Sequence, residues 1–397
     1  MAKWFLDTSN SEYRTIRAKE PIKKYEKIFE AEAFSLTVHE SKRNKYCNYC
    51  LNETSNLMKC GQCGIFYYCS ENCQKQDWST FHKYECEPLR KSTSIELKNE
   101  LILTLRLWDI YKQNETFRES IVKMKSHEKS YSEATKLEMM KMATQIVEIL
   151  KEDESKIPVI LEILSKVKIN FFTIEKPSYI TNLAIGTGFY QGESNFFNHS
   201  CMPNSLKIYI GRKIEIYACE DIKPNEEIFI CYDELMGRPF NIRQTYLKEN
   251  YNMECGCRLC LKEKVTSNTL YPNIGLKWNK CPDKALIFDN ICSKCSFHYS
   301  SEDLSKTHKE LEGNIETKLK SGLKYEELSV FLEDLKKNHL DSSSYLIEIV
   351  LENIISTFLE THKEKYYDEL YKLLKFYLRN YEKWYKIEIP SFGFKYN

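Results

Sequence analysis

Hydrophobic spacing changes character several times along the 397 residues. Residues 1–46 read as extended pieces with one turn around Lys19–Lys24. Residues 91–168 switch to helical spacing, with Met139, Met142, Ala143, Ile146, Ile149 and Leu150 on one stripe. Residues 169–235 return to short strands. There Ser205–Ile210 and Lys213–Cys219 flank Gly211-Arg212, a two-residue loop suited to a hairpin with glycine first. Glu226–Tyr232 alternates again. From about residue 300 the spacing is helical. Tyr325, Leu328, Leu332 and Leu335 form one stripe, and Leu370, Leu373, Leu374, Tyr377, Leu378 and Tyr381 another. Ser321-Gly322 and Asp341–Ser344 read as breaks or caps, so stacked antiparallel helices are expected. The most apolar long stretch, Tyr345–Leu359, carries Glu348 and Glu352 and reads as an amphipathic helix. No run of about 18 apolar residues occurs, so no bilayer span is expected. Met1–Asn10 lacks a basic segment followed by an apolar one, so no secretory signal is expected either.

Composition narrows the picture. The length allows two to four folding units at roughly 100–200 residues each. Apolar residues are 42% of the chain, enough for sizeable cores. The 58 basic and 57 acidic residues nearly cancel, and a net charge of +1 gives no global attraction to nucleic acid or membrane. A DNA-binding reading is further opposed by the lack of a recognition-helix finger pattern. Most of the sixteen cysteines fall in short-spaced groups, which favours metal in a reducing compartment over disulfides.

The densest block reads Cys47-x2-Cys50, Cys60-x2-Cys63, Cys69-x3-Cys73, His82-x3-Cys86. Zinc takes four thiolate or imidazole ligands in a tetrahedron, and donors two or three residues apart can share one ion. Eight ligands make two closed sites, structural in kind because no position is open. A piece of about forty residues buries too little core to fold alone, so metal would supply its folding energy. Spacing does not settle which four ligands share an ion.

A second block follows. Asn198-His199-Ser200-Cys201-Met202-Pro203-Asn204 is a polar, turn-prone heptapeptide, and Cys255-x-Cys257-x2-Cys260 comes about fifty residues later. Three thiols cannot close a tetrahedron, and Cys201 is the natural fourth ligand. Cys219 and Cys231 lie on expected strands and read as small buried apolar residues.

The first block resembles a MYND zinc finger. The resemblance implies an interleaved pairing, with Cys47, Cys50, Cys69 and Cys73 on one zinc and Cys60, Cys63, His82 and Cys86 on the other. It also implies a proline-rich peptide as a partner, for which Tyr67, Tyr68 and Trp78 offer aromatic surface or, equally, the finger's small core. The second block resembles a SET domain: Asn198–Asn204 is similar to its Asn-His-Ser-Cys-x-Pro-Asn motif, Glu226–Tyr232 to the strand ending in its catalytic tyrosine, and the last three cysteines to its post-SET cluster. Arg17-Ala18, Asn170–Ile174 and Gly186-x-Gly188 fit as well. A SET domain split by a MYND finger and followed by helices is the layout of the SMYD family.

That resemblance implies an α+β fold. It comprises a β-rich SET domain (1–46 and 169–240), a MYND finger (47–86), a helical insert (87–168), a zinc-bound post-SET segment (241–262) and a TPR-like C-terminal α-helical domain (263–397). It implies a monomer of the nucleus, the cytoplasm or both, holding three Zn2+. The implied reaction is methyl transfer from S-adenosylmethionine to a lysine of a histone or other protein substrate. Tyr232 and Tyr251 would be catalytic. Glu12, Tyr13, Arg14, His127, Asn170, Asn198, His199, Tyr251, Asn252 and Met253 would lie at the cofactor.

In-line transfer rewards alignment, worth on the order of 7–11 kcal/mol. The amine must be neutral, and burial in an aromatic channel lowers a lysine pKa from about 10.4. Oxygen dipoles, here the Tyr232 hydroxyl, stabilise the transferring methyl.

The sequence departs from the SMYD pattern in one place that matters. Where a Gly-x-Gly turn precedes Arg17-Ala18 in that family, this chain has Glu12-Tyr13-Arg14-Thr15. Glycine permits close backbone approach and positive φ, which other residues do not adopt freely. Met253 also stands where an aromatic is expected. Two readings stay open: a working enzyme whose loop adopts another conformation, or an adaptor that recruits partners without turnover. Cys281, Cys292 and Cys295 remain, with a possible His298, as structural thiols or part of a further metal site.

Overall fold

The computed structural model describes residues 2–10, 13–91, 98–124, 126, 131–175, 184–190, 192–232, 240–266, 276–277, 287–288, 291–292, 294–340, 344, 346–347, 349–351 and 353–354. The fold is α+β and divides into two compact units. The first is Met1–Pro177, Leu183–Leu235 and Gln244–Cys257; the second is Ser178–Asn182, Met236–Arg243 and Arg258–Asn397.

In the first unit, β1 (Trp4–Asp7) and β2 (Thr15–Ala18) pair antiparallel, and β3 (Lys27–Val38) is a long strand whose last four residues are all buried. The cysteine block supplies a small ribbon, β4 (Met58–Lys59) with β5 (Tyr67–Tyr68). Helix α1 (Glu71–Asp77) follows, with Ser70 as N-cap accepting from the Cys73 amide. One π turn at Trp78–His82 joins it to α2 (Lys83–Lys91). Such turns cluster at functional sites, and this one carries the expected metal ligand His82.

The helical insert comprises α3 (Asn99–Gln113), α4 (Glu115–Lys123), α5 (Glu133–Leu150) and α6 (Ile157–Asn170). Asn114 caps α4 and Ser132 caps α5, and Pro158 opens α6, where its missing N–H costs nothing. Helix α3 is buried from Leu101 to Asp109 without a polar face, which places it inside the unit rather than on its surface. The predicted stripe on α5 is buried at Met139, Met142, Ala143, Ile146 and Ile149, with Val147 added.

The chain then returns to sheet through β6 (Phe172–Glu175), β7 (Ala184–Tyr190), β8 (Asn198–His199), β9 (Ser205–Ile210), β10 (Lys213–Ala218) and β11 (Phe229–Ile230). The main sheet has the order β6-β7-β3-β10-β9. The β9–β10 hairpin pairs Ile210 with Lys213, and Gly211 has φ +56° at the first loop position, as the sequence predicts. Gly186 on β7 faces the β3 backbone so closely that a Cβ there would lie 2.4 Å from the Thr37 carbonyl oxygen. Only glycine fits, which explains half of the Gly-x-Gly pair in physical terms.

Helix α7 (Phe240–Tyr251) follows in sequence. The second unit contains α8 (Arg258–Thr266), the short hairpin β12 (Ile287–Phe288) with β13 (Ile291–Cys292), α9 (Ser301–Lys320) and α10 (Tyr325–Asn338). Leu328, Leu332 and Leu335 are buried as their spacing predicts, and Gly322 at φ +70° follows the end of α9. Leu346, Ile347, Val350, Leu351 and Ile354 of the apolar stretch are buried too. The Leu370–Tyr381 stripe lies outside the described residues. Among the described residues no helix is long and apolar enough to cross a membrane.

Candidate active site and metal centres

The expected catalytic strand forms only a two-residue ladder, and its position explains why. β11 runs parallel to β8, pairing Phe229 with Asn198 and Ile230 with His199. On its other side the same segment bonds β2: the Ala18 amide donates to the Glu226 carbonyl and the Ile228 amide to the Ile16 carbonyl. Ile228 and Ile230 are fully buried. A short central strand thus holds three segments distant in sequence: residues 13–18, 198–204 and 226–232.

The Asn-His-Ser-Cys-x-Pro-Asn segment is fixed at both ends. Asn204 accepts from the Phe229 amide through Oδ1 and donates to the Glu227 carbonyl through Nδ2, both at 2.8 Å. At the other end, Asn198 Nδ2 donates to the Arg14 carbonyl at 3.1 Å and to Glu227 Oε1 at 2.9 Å. The Tyr13 hydroxyl donates to the same Glu227 oxygen. Tyr13 is 48% exposed, and partial desolvation together with the Glu227 carboxylate pushes its phenol up to about 12. The Arg14 guanidinium lies over the Phe196 ring, 4.8 Å from its centroid.

Tyr13, Arg14, Asn198 and Glu227 therefore meet at one place. Glu227 was missed by sequence reasoning, although it lies within the Glu226–Tyr232 strand. Its only signal is a carboxylate on a strand that otherwise buries its alternate residues.

Tyr232 follows β11 directly. Its amide donates to His199 Nδ1 at 3.1 Å, and the two rings lie 5.3 Å apart. On its other side the Tyr251 ring is 5.0 Å away at 48°. Lys207 Nζ donates to the Tyr232 carbonyl at 2.6 Å. Burial, and then the nearby Tyr13 and Glu227, raise the Tyr232 phenol well above its ordinary value, so it keeps its proton. Asn252 closes α7 at φ +50°, and the Met253 amide returns to the Leu247 carbonyl. This turn holds Tyr251 against Tyr232. Asn170 Nδ2 donates to the Lys166 carbonyl of its own helix at 2.8 Å. Glu12 and His127 lie outside the described residues.

Among the described residues, three cysteine-rich clusters have metal-ligand geometry: Cys47, Cys50, Cys69 and Cys73; Cys60, Cys63, His82 and Cys86; and Cys201, Cys255, Cys257 and Cys260; a fourth donor group, Asp77, His82 and Glu85, shares His82 with the second. Within each, the donor atoms lie within 4.8 Å of one another. The first two are interleaved. Cys50–Cys69 and Cys69–Cys73 sulfurs are 3.5 Å apart, Cys60–Cys86 sulfurs 3.7 Å. A tetrahedral zinc with bonds of about 2.3 Å demands separations of roughly 3.8 Å, so the donor sets suit that ion. In the third, the Gln244 side chain brackets Cys255, taking its amide and donating to its carbonyl, each at 2.9 Å.

The second cluster has an outer layer that sequence reasoning did not find. His82 Nδ1 sits 3.3 Å from Glu85, which receives the fully buried Arg106 of α3 at 2.6 Å. Arg106 also donates to Asp77 and to the Leu36 carbonyl of β3. Asp77 in turn accepts from the Tyr68 hydroxyl at 2.7 Å. Tyr68 is fully buried, so of the three aromatics suggested for a peptide surface it belongs to the finger's core; Trp78 remains 40% exposed. Cys231 is buried as expected, whereas Cys219 is only half-buried.

A strand paired with an Asn-His-Ser-Cys turn and leading directly into a half-buried tyrosine defines a class. The chain belongs to the SET domain family, whose model matches residues 14–233. Within that family its resemblance is to the SMYD proteins. It is 28% identical to human N-lysine methyltransferase SMYD2 over 62% of this chain and 58% of that protein. It is 29% identical to mouse histone-lysine N-methyltransferase SMYD3, over 64% and 60%, and 30% identical to Xenopus laevis N-lysine methyltransferase SMYD2-B, over 59% and 55%. The matched region thus spans somewhat over half the length of these curated relatives. A solved structure, the SET domain of LSMT bound to lysine and AdoHcy, aligns over 94% of this chain and 90% of that one with TM-score 0.35 and 10% identity.

Proposed function

We propose that the chain is a protein-lysine N-methyltransferase that uses S-adenosylmethionine. The observation that carries this reading is the convergence of Tyr232, Tyr251, His199 and Asn198 around one short parallel strand pair. The names of the SMYD relatives support it.

The donor set suits a cationic amino-acid cofactor. Asn198 directs both Nδ2 hydrogens into the protein, toward Arg14 and Glu227, which leaves its Oδ1 as an acceptor for an ammonium. The Glu227 carboxylate beside it favours positive charge. Tyr13, Arg14, Asn198, His199 and the Tyr251–Met253 turn would hold the cofactor; Glu12, His127 and Asn170 complete the proposed set. When bound, that group supplies an electrophilic methyl on sulfonium sulfur.

The chain's own residues do the rest. Tyr232 stays protonated because burial raises its pKa, and it presents a neutral oxygen dipole rather than a phenolate. His199 fixes the backbone of Tyr232. Tyr251, packed on Tyr232, forms the aromatic wall that keeps water from a lysine amine and favours its neutral form. Solvent takes the proton, so no general-base carboxylate is required.

The proposal includes the layout of SET halves, MYND finger, insert, post-SET segment and helical C-terminus given above, with zinc in all three clusters. A proline-rich peptide at the finger, residence in nucleus or cytoplasm, and a monomeric state belong to the same reading. Replacement of the glycine turn by Tyr13 keeps the adaptor as a second reading. Calorimetric titration of S-adenosylmethionine, with Asn198→Ala as control, separates them. Micromolar binding lost in the variant supports the enzyme, and no binding by folded protein supports the adaptor.

A further inference from the structure

Outside the three clusters, one turn in the second unit repeats the backbone of a metal-binding turn bond for bond. At Cys47-x2-Cys50 the Cys47 amide donates to the Asn52 carbonyl at 2.9 Å, and the Leu51 amide returns to the Cys47 carbonyl at 2.9 Å. Leu51, four residues after the first cysteine, is left-handed at φ +64°. At Cys292-x2-Cys295 the Cys292 amide donates to the Phe297 carbonyl at 3.0 Å, and the Ser296 amide to the Cys292 carbonyl at 3.1 Å. Ser296, again four residues on, has φ +56°. Cys60-x2-Cys63 is the third example: Gly64 at φ +69° donates to the Cys60 carbonyl at 2.9 Å.

The correspondence has a physical reason. A left-handed residue four positions after the first cysteine folds the chain back over it, turning the two sulfurs of a Cys-x2-Cys toward a common point. Non-glycine residues adopt that conformation at a cost of about 1 kcal/mol or more. Leu51 bears it at a cluster with four converging ligands, inside the Tyr46–Glu53 pairing, and Ser296 bears it inside the matching Ile291–His298 pairing, so the two cysteine turns share one hairpin frame. The β12–β13 hairpin delivers the first sulfur, with Cys292 opposite Ile287 and 1% exposed, while Cys295 lies at the surface.

His298 is excluded as a partner of Cys292. It lies opposite Ile291, and strand alternation sends Cys292 to the other face. Cys281, eleven residues earlier in sequence, is a thiol of suitable type but lies outside the described residues.

We propose that Cys292 and Cys295 supply two of the four ligands of a further thiophilic metal site, taking zinc, in addition to the three cysteine clusters described above. Zinc suits it because thiolate donors at this spacing select that ion in the turns it copies. The site is independent of methyl transfer and of the cofactor.

The test is metal content per chain in the full-length, zinc-loaded protein, measured by native mass spectrometry and elemental analysis, against Cys295→Ser. Because Cys295 is exposed, this variant leaves the core intact. The expected result is loss of one zinc equivalent. A parallel cadmium-113 spectrum of the cadmium-loaded protein should lose one thiolate-ligated resonance and keep the rest. An unchanged metal count overturns the proposal, as does a Cys292–Cys295 disulfide in the protein as purified under reducing conditions.

Discussion

The Tyr13 hydroxyl and Glu227 Oε1 are hydrogen-bonded at 2.9 Å across 214 residues of chain, on the oxygen that also holds Asn198. This bond sits where SMYD proteins carry a glycine turn. Its consequence is that Asn198 depends on Glu227, and Glu227 on what Tyr13 does. Glu227→Gln keeps the shape but exchanges an acceptor for a donor facing Asn198. Hydrogen bonds to charged groups contribute about 1.5–3 kcal/mol, so cofactor affinity should fall roughly 10- to 100-fold. Tyr13→Phe should weaken it in the same direction and by less. Calorimetric titration reads both, and wild-type affinity in Glu227→Gln would remove Glu227 from the site.

Tyr232→Phe tests the chemistry. Removing one preorganised dipole costs on the order of 10²-fold in turnover. Cofactor binding should stay near wild type, because Asn198 and His199 are untouched. Turnover that survives unchanged would end the role assigned to Tyr232.

The pH profile follows from the same residue. An unperturbed tyrosine ionises near pH 10. Burial, and behind it Tyr13 and Glu227, raise Tyr232 above that. Its neutral form is therefore retained as pH rises, and deprotonation of the substrate amine should lift the rate over the same range. A rate that rises to about pH 10 without a descending limb is the expected outcome. A limb that falls near pH 8–9 and disappears in Tyr232→Phe would contradict it.

Arg106 makes a prediction about stability. Its side chain is fully buried and bonded to Glu85, Asp77 and the Leu36 carbonyl. Arg106→Ala leaves two buried carboxylates without their cation, a change worth about 3–5 kcal/mol. Denaturant unfolding should register it, and release of the zinc proposed for the Cys60, Cys63, His82 and Cys86 cluster should accelerate, because Glu85 lies against His82 Nδ1. Unaltered stability and zinc retention would show that the network contributes little.

Glycine supplies a paired test. Gly186→Ala would drive a methyl into the Thr37 carbonyl, whereas a Cβ at Gly61 meets nothing within 4 Å. Overpacking of this kind costs about 1–3 kcal/mol. Gly61→Ala should lie within about 0.5 kcal/mol of wild type. Equal melting temperatures for the two variants would refute the steric account.

The difference between those glycines was partly readable in sequence, since Gly186-x-Gly188 belongs to a motif and Gly61 does not. The three cysteine-rich donor clusters were readable because the spacing that chelation demands is written into the chain itself. The β9–β10 hairpin was readable because Gly211 occupies a position that demands positive φ. Glu227 and Arg106 were not. Each acts through partners 21 to 214 residues away, and no local period records such a pairing. Tyr68 stayed undecided between surface and core for a related reason: a tyrosine beside another tyrosine carries no mark of which one faces inward until Asp77 is placed against it.

The parallel pairing of β8 with β11, flanked by β2, also has a consequence in time. Thr15 and Ile16 are almost wholly covered in the folded chain, and Ile16 is covered by bonding to Ile228. During synthesis at about 5–20 residues per second, the N-terminal strand must wait roughly 10–40 s for that partner to leave the ribosome. Through that interval the edge of β2 is without the partner that covers it in the folded chain. Completion of the β2–β11–β8 junction is therefore a late event in the life of each chain, and the N-terminal strand is where a holding chaperone would have the longest opportunity to act.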